Sequence, residues 1–391
     1  MSIEATLPIG PYHPALKEPE FFKLFLDGEK VVDVAIRLGY THRGIEYLAQ
    51  RKTYNEIPFL VERICGICSN VHPMCFCQAV EEAWGLQVPD RARYIRTIVG
   101  ELERIHSHLL WAGVAAHIIG YDTLFMHFWK HREPVCEIFE VLTGNRQNYA
   151  MNCIGGVRRD IDPTKHKALI LETLSQIRPS LVRLEKAVTE DPVVRARIEN
   201  IGVLSKDQAR KLCVVGPVAR ASGLAIDVRK DEPYAAYKEV GVDVKVLTEG
   251  DVLSRTLVRL LEALESIEII RRALDAIPQG PIRLEPKQIV PGDGIGKVEA
   301  PRGEDIHYVR SNGTDIPERV KIRAPSYMNV PSIAPQIKGA SLADASLIIA
   351  AVDPCFCCTE RIAIVDVKTK RESSVDFESL ARSWRRKNKH R

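Results

Sequence analysis

The sequence has no window approaching the roughly 18 consecutive apolar residues that a membrane-spanning helix requires. It has no internal repeat and no low-complexity tract. It also lacks an aromatic-interleaved basic motif and a recognition-helix signature, so nucleic acid is not an expected partner. The opening MSIEATLPIGPYHP shows no basic segment followed by an apolar run, so a secretory signal is not expected and the chain reads as cytoplasmic. Neither charge dominates: 55 Lys and Arg stand against 51 Asp and Glu, a net +4. What remains is ordinary for a globular protein: 391 residues, 45% hydrophobic and 27% charged, with ample material for a buried core.

The charge is unevenly placed. Residues 362 to 391 carry nine Lys or Arg against four acids, so this end is basic and the rest is nearly neutral. Such an end suits an anionic surface or a solvated tail equally well.

Ten cysteines are present, and in a chain of this size without a signal they suit thiol or metal-ligand roles better than a disulfide framework. Two Cys-x-x-Cys pairs stand out, in RICGICSNVH (63–72) and in DPCFCCTER (353–361). A short Cys-x-x-Cys turn points two sulfurs the same way, and two such turns offer four soft ligands for zinc, iron or nickel. Zinc ribbons separate their pairs by about 15 to 20 residues. Here 287 positions separate Cys68 from Cys355, so the whole fold must bring the pairs together. Ligand types alone leave a catalytic metal and a structural zinc both open. Cys75 and Cys77 read as packing thiols.

The pattern along the chain predicts α+β architecture, predominantly α: a central helical bundle with small β elements near the N-terminus and in the C-terminal third. Residues 21–38 read as a hairpin turning at Asp27-Gly28. From about 73 to 275 the pattern is helical; Ile95, Ile98, Val99, Leu102, Ile105 and Leu109 recur at helical spacing after Pro89-Asp90. Asp162-Pro163 reads as a cap with proline at the first helical position, and Ser205 with Gln208 as a capping box. A further helix spans 251–274, residues 278–338 read as strands and loops, and 341–352 as a helix leading to the second cysteine pair. One domain over 1–361 is expected, made of an N-terminal β region (1–60), the bundle (73–275) and a β/loop region (278–361), with a basic extension at 362–391.

The two motifs resemble R-x-C-G-x-C-x-x-x-H and D-P-C-x-x-C-x-x-H/R of the large, catalytic subunit of nickel–iron hydrogenases. The closing TER resembles the energy-converting, membrane-associated (group 4) members, which are related to the 49 kDa subunit of respiratory complex I. IGPYHPALKEPE, YTHRGIE, ELERIHSHLLW and NCIGGVRRDI extend the resemblance over nearly the whole chain. It implies a nickel–iron centre whose iron carries carbon monoxide and cyanide. Cys65 and Cys355 would be terminal on nickel, Cys68 and Cys358 would bridge the metals, and Cys357 would be a bystander. It implies an acidic proton gateway at Glu18, with Glu20 as the alternative. Arg302 and Ser326 would donate to the iron's cyanides, with Pro301 and Pro325 shaping the pocket. His72 would donate to a ligand thiolate, Asp353 would orient its loop by pairing with a base, and Arg63 would stand beside the first pair. Glu46 would lie near an accessory ion such as Mg, or pair with Arg361 or another base.

No cysteine set is left for a relay cluster. The resemblance therefore implies a small subunit carrying an iron–sulfur cluster, ferredoxin as indirect donor, and further soluble and membrane subunits on the inner face of the cell membrane. A maturation protease cutting after Arg361 is a further implication. The rival readings are a complex I-type quinone reductase or sulfur reductase, expected to have lost or altered a cysteine pair, and a scaffold with a structural zinc held by four cysteines.

Overall fold

A computed structural model describes residues 5–13, 16, 18–147, 150–359, 363–365, 369, 372–374 and 382. The fold is mostly helical, with small antiparallel sheets near the N-terminus and in the C-terminal part. Strands β1 (Ala5–Ile9), β2 (Phe21–Asp27) and β3 (Lys30–Arg37) form a meander in which Asp27 faces Lys30 across the expected turn. Phe22, Leu24 and Leu26 alternate into the core, the period-2 pattern of a half-buried strand. β1 was not legible in the sequence, since four of its five residues are exposed and leave no alternation.

The long helices are α1 (Val71–Trp84), α2 (Asp90–Ile118), α3 (Asp122–Thr143), α4 (Lys165–Glu190) and α5 (Val252–Ala276). In the bundle α3 and α5 flank α2, and α4 closes against both. The six apolar residues that marked α2 in the sequence are all fully buried there; each such side chain contributes about 1.5–3 kcal/mol. The capping box at Ser205 and Gln208 is present, on the short helix Lys206–Lys211. At α4 Asp162 caps as expected: its carboxylate accepts the N–H groups of Thr164 (2.9 Å) and Lys165 (2.6 Å), and its carbonyl accepts the His166 N–H at 3.2 Å. Pro163 lies in this opening turn, and the regular helix follows at Lys165–Glu190.

Strands β4 (Gly292–Ala300), β5 (Gly303–Ser311) and β6 (Arg319–Arg323) form a second antiparallel sheet, on which α1 lies. Gly292, Gly294 and Gly296 make that contact possible. A Cβ at these positions would sit 2.8 Å from the Ala83 carbonyl, 1.9 Å from that of Ala79 and 2.0 Å from that of Cys75. Alternate strand residues thus meet successive turns of α1, backbone against backbone. The Cys75 thiol donates to the carbonyls of Gly296 (3.2 Å) and Asp305 (3.3 Å), sealing one end of this seam. Because α1 starts at Val71, three positions after Cys68, the seam fixes the exit of the first cysteine loop on the sheet.

Ala300 pairs with Gly303, which leaves Pro301 and Arg302 as the two-residue turn of the β4–β5 hairpin. Helix α6 (Leu342–Ala351), capped by Ser341, delivers the chain to Asp353. Ala363–Val365 and Glu372–Ser374 pair as a short ribbon. Arg361 and Ile362 lie outside the described residues, as does most of the basic extension. Among the described residues no helix is long and apolar enough to cross a membrane.

The seam predicts that Gly294→Ala lowers stability by roughly 1–3 kcal/mol or more, since the added methyl collides with backbone that cannot move alone. A denaturant melt with an unchanged midpoint would show that strand and helix are not in the contact described.

Candidate metal centre

The first loop leaves the turn Glu62–Ile64 in extended conformation at Cys65 and enters α1 at Val71. The Cys65 sulfur accepts the N–H groups of Ile67 and Cys68, both at 3.3 Å, so the backbone curls around it. The buried Glu103 carboxylate, on α2, accepts the Asn70 N–H at 2.7 Å and clamps the exit of the loop. The second loop begins at Asp353, in the left-handed region (φ 55°), a strained conformation for a side-chain-bearing residue. Its Cys355 N–H donates to Ser326 Oγ at 2.9 Å, and a 3-10 turn carries Phe356–Cys358. Ser326 and Pro325 open a short helix behind this loop.

The loops bring their sulfurs together. Cys65 Sγ lies 3.2 Å from Cys355 Sγ, which lies 3.1 Å from Cys358 Sγ. Cys68 is buried in the same cluster and no disulfide forms. Hydrogen bonds from the Cys355, Cys358 and Cys68 thiols hold Cys65 well below the usual thiol range. The Cys68, Cys355 and Cys358 thiols are pushed well up, Cys68 chiefly by its contact with Cys65. Thiol protons alone therefore leave this cluster competing for a single negative charge. Soft cations that replace the protons relieve the competition, so the donor set fits a thiolate-bound metal centre.

Arg302 enters from the hairpin tip. It is buried, and its guanidinium donates to Cys68 Sγ (3.2 Å), Ser107 Oγ (3.3 Å), the Asp353 carbonyl (2.9 Å) and the Asp353 carboxylate (2.9 Å). The tip is clamped from behind. A Cβ on Gly216 would meet the Arg302 carbonyl at 2.3 Å, and Asn329 Nδ2 donates to that carbonyl at 3.1 Å. Pro301 is buried in this turn.

Glu18 reaches the same cluster. One carboxylate oxygen accepts the Cys357 N–H at 2.7 Å, and the other lies 3.6 Å from Cys355 Sγ. Glu20, the alternative in the sequence, makes no hydrogen bond to a cysteine of the cluster among the described residues. It is fully buried, bonded to the Phe21 N–H (3.1 Å) with its second oxygen unpartnered, and burial pushes it up to about 8. His72, in α1, places Nε2 3.6 Å from Cys358 Sγ and Nδ1 3.0 Å from Asp305.

One sequence-based expectation needs correction. Arg63 does not stand beside the sulfurs: its side chain is more than half exposed and donates to the Phe59 carbonyl at 2.8 Å. The helical turn at 62–64 carries it outward, and Arg43 takes the inner place. Arg43 donates to the carbonyls of Arg63 (2.8 Å), Ile64 (2.8 Å) and Cys357 (3.1 Å), joining both cysteine loops. Thr41 adds a bond to the Phe356 carbonyl at 2.7 Å. Glu46 accepts from Lys321 Nζ (2.5 Å) and the Ile322 N–H (3.0 Å), so of the alternatives the sequence left open it pairs with another base. Arg361, the other expected partner, lies outside the described residues. Arg43, Thr41, Ser107 and Glu103 were missed because their roles depend on backbone and sulfur atoms far away in sequence. Only the segments YTHRGIE and ELERIHSHLLW marked their neighbourhoods.

A buried four-thiol pocket between a helical bundle and a hairpin tip is the geometry of a thiolate-held metal centre. Comparison with known proteins agrees. Residues 43–112 match the family model of nickel-dependent hydrogenases. Residues 119–294 and 285–361 match that of the 49 kDa subunit of respiratory-chain NADH dehydrogenase. The membrane-bound hydrogenase subunit alpha of Pyrococcus furiosus is 44% identical over 378 residues, covering 92% of this chain and 88% of that protein. The carbon monoxide-induced hydrogenase of Rhodospirillum rubrum is 43% identical over 358 residues, covering 91% and 99%. A solved chain of the membrane-bound sulfane sulfur reductase, an archaeal respiratory membrane complex, superposes with TM-score 0.87 at 34% identity, covering 92% of this chain and all of that one. The chain belongs to the family that unites the large subunits of membrane-bound hydrogenases with the 49 kDa subunit of complex I.

Two outcomes follow from the site. Asp353→Ala leaves the Arg302 guanidinium buried without its counter-charge and is expected to cost about 3–5 kcal/mol in a denaturant melt. Glu20 gives a pH signature. Its folded-state pKa exceeds the unfolded value, so its contribution to stability is fully present below about pH 4.5 and is lost as pH rises through about 8. Glu20→Gln should therefore be stabilising relative to the parent at pH 8 and not at pH 4.5. Parallel pH–stability curves for the two proteins would contradict it.

Proposed function

We propose that this chain is the catalytic subunit of an energy-converting nickel–iron hydrogenase that oxidises H2 and reduces protons reversibly. The observation that carries the reading is the convergence of two distant cysteine pairs in one buried pocket, with Arg302 bonded to Cys68 and Glu18 against Cys355. Cys65 and Cys355 would hold nickel, and Cys68 and Cys358 would be shared with iron. The bound pair, its iron carrying carbon monoxide and cyanide, would supply heterolytic splitting of H2 and the reverse reaction.

The chain's own residues handle protons and position. The Cys357 N–H anchors one oxygen of Glu18 and leaves the other facing Cys355 Sγ, placed to take a proton from that sulfur or return it. Asp353 holds Arg302 in a fixed fork, so its donors are aimed without reorganisation at anionic ligands beside Cys68. The Ser326 oxygen accepts from Cys355, which leaves its hydrogen free to donate toward a second anionic ligand. Pro301 and Pro325 shape the turns that carry these two groups. His72 hydrogen-bonds at Cys358 from outside the sulfur cluster. The Lys321 ammonium provides at Glu46 the positive charge that a magnesium-type ion would otherwise provide.

Electrons would pass to a small subunit with an iron–sulfur cluster, and through it to ferredoxin or an equivalent carrier. The assembly would be a complex I-like one, with this chain peripheral on the cytoplasmic face of the membrane and electron flow coupled to ion translocation. A maturation protease acting after Arg361 belongs to the same reading, and intact-mass measurement of the metal-loaded chain tests it. A second reading is a sulfur- or quinone-reducing subunit; the superposition on the sulfane sulfur reductase favours it.

Infrared spectroscopy and metal analysis of the purified complex separate the two. Hydrogenase function predicts iron-bound carbonyl and cyanide bands, with nickel and one non-cluster iron per chain. Zinc alone, or no carbonyl band, sinks it. Glu18→Gln should lower H2 turnover roughly 100-fold or more with nickel, iron and infrared bands retained. Unchanged turnover would remove Glu18 from the proton path.

A further inference from the structure

Beside the sulfur cluster, and distinct from it, His72, Asp305 and His307 form a second group of potential ligands. Asp305 and His307 occupy alternate positions of β5 and share the face that meets α1; His72 is the second residue of α1. His72 Nδ1 lies 3.0 Å from Asp305 Oδ2 and 3.2 Å from His307 Nε2, and His307 Nε2 lies 3.4 Å from Asp305 Oδ2. All three side chains are buried. We propose that these three residues bind a divalent transition-metal ion of the zinc–iron class.

Three observations carry the assignment. The first is shape. Metal–ligand bonds of about 2.0–2.1 Å give ligand–ligand edges from about 3.0 Å in an octahedron to about 3.4 Å in a tetrahedron. All three sides of the triangle fall in that span. The second is satisfaction. Neither oxygen of the Asp305 carboxylate receives a hydrogen bond of good geometry; the groups that meet its buried charge are the imidazoles of His72 (3.0 Å) and His307 (3.4 Å), themselves potential ligands. The third is the facing of two imidazole nitrogens. With one nitrogen protonated the pair forms an ordinary N–H···N hydrogen bond at 3.2 Å; a cation at the centre of the triangle would instead meet both lone pairs and the carboxylate at once.

Two imidazoles and one carboxylate form a ligand set used for zinc and for non-haem iron, with positions left over for water or a further group. The seam between α1 and the sheet holds the ligands together, and their burial means that the ion would be taken up as the chain folds. Coordination through Nδ1 would also leave the hydrogen of His72 on Nε2, directed at Cys358 Sγ. The site is separate from Glu46, whose carboxylate is held by Lys321. It does not require nickel or iron at the sulfurs, so its failure and that of the hydrogenase reading are distinguishable.

The decisive measurement is anomalous X-ray scattering from the purified complex, collected at the zinc, iron and manganese edges. The expected result is a peak at one of these edges within about 2.0–2.2 Å of His72 Nδ1, Asp305 Oδ2 and His307 Nε2. No peak at any edge, with the three side chains in place, overturns the proposal and leaves a carboxylate held between two imidazoles. Metal content per mole of chain provides a second arm. Asp305→Asn and His307→Gln should each lower the content of that ion roughly 10-fold or more. Undiminished content in both variants also overturns it. Should the variants fail to fold, the scattering from the parent protein still decides.

Discussion

Four sulfurs confined in a dry pocket set the terms for this structure, because negative charge there must be met by cations or fixed donors. The answer is a single guanidinium. Arg302 touches Cys68, is balanced by Asp353 and is steadied by Ser107, so one side chain links the hairpin tip, the second cysteine loop and α2. Arg43 performs the matching task for the backbone, bonding carbonyls of both loops. Two loops nearly three hundred residues apart in sequence are thereby joined by two arginines.

The support beneath Arg302 is also ionic. Glu299, three residues before it, accepts from Arg220 at 2.8 Å, and its carbonyl accepts from Arg104 at 2.6 Å. Arg220 also binds Glu262 (2.7 Å), which accepts from His108 (2.9 Å). Arg229 spans Asp227 (2.6 Å) and Glu101 (3.1 Å). All these groups are buried. Such a network offers little net stabilisation over apolar packing, yet losing one member strands the rest without partners. Its evident effect is to hold the base of the β4–β5 hairpin in one place. Burial lowers His108 to about 4 even with Glu262 beside it, so its imidazole is neutral at neutral pH.

The sequence made some of this legible and hid the rest for definable reasons. Periodicity exposed α2 and α5, and cap chemistry exposed the helix at 206–211, since these are local signals. The paired cysteines, Glu18, Arg302 and Asp353 were readable because recurrent motifs surround them, and the structure brings them into one pocket. Arg63 was misplaced because adjacency along a chain does not say which way a helical turn will face a side chain. The charged face of α2 was hidden too. Its apolar stripe suggested an ordinary amphipathic helix, whereas Glu101, Glu103, Arg104, His106 and His108 are buried as well. A helix enclosed on all sides can carry charges inward when its neighbours supply the opposite ones. His307 and Asp305 stood in an unremarkable strand pattern, and only the pairing of β5 with α1 sets them against His72.

The glycine seam between β4 and α1 has a mechanical consequence. Side chains between packed elements act as springs, because their rotamers can shift to absorb a displacement. Where Gly294 and Gly296 press backbone directly on the carbonyls of Ala79 and Cys75, no such cushion exists. Sheet and helix then move as one stiff plate, with the first cysteine loop fixed to its rim. A push on the outer edge of that plate would arrive at Cys68 undiminished, making the sheet a lever rather than a buffer for the sulfur pocket.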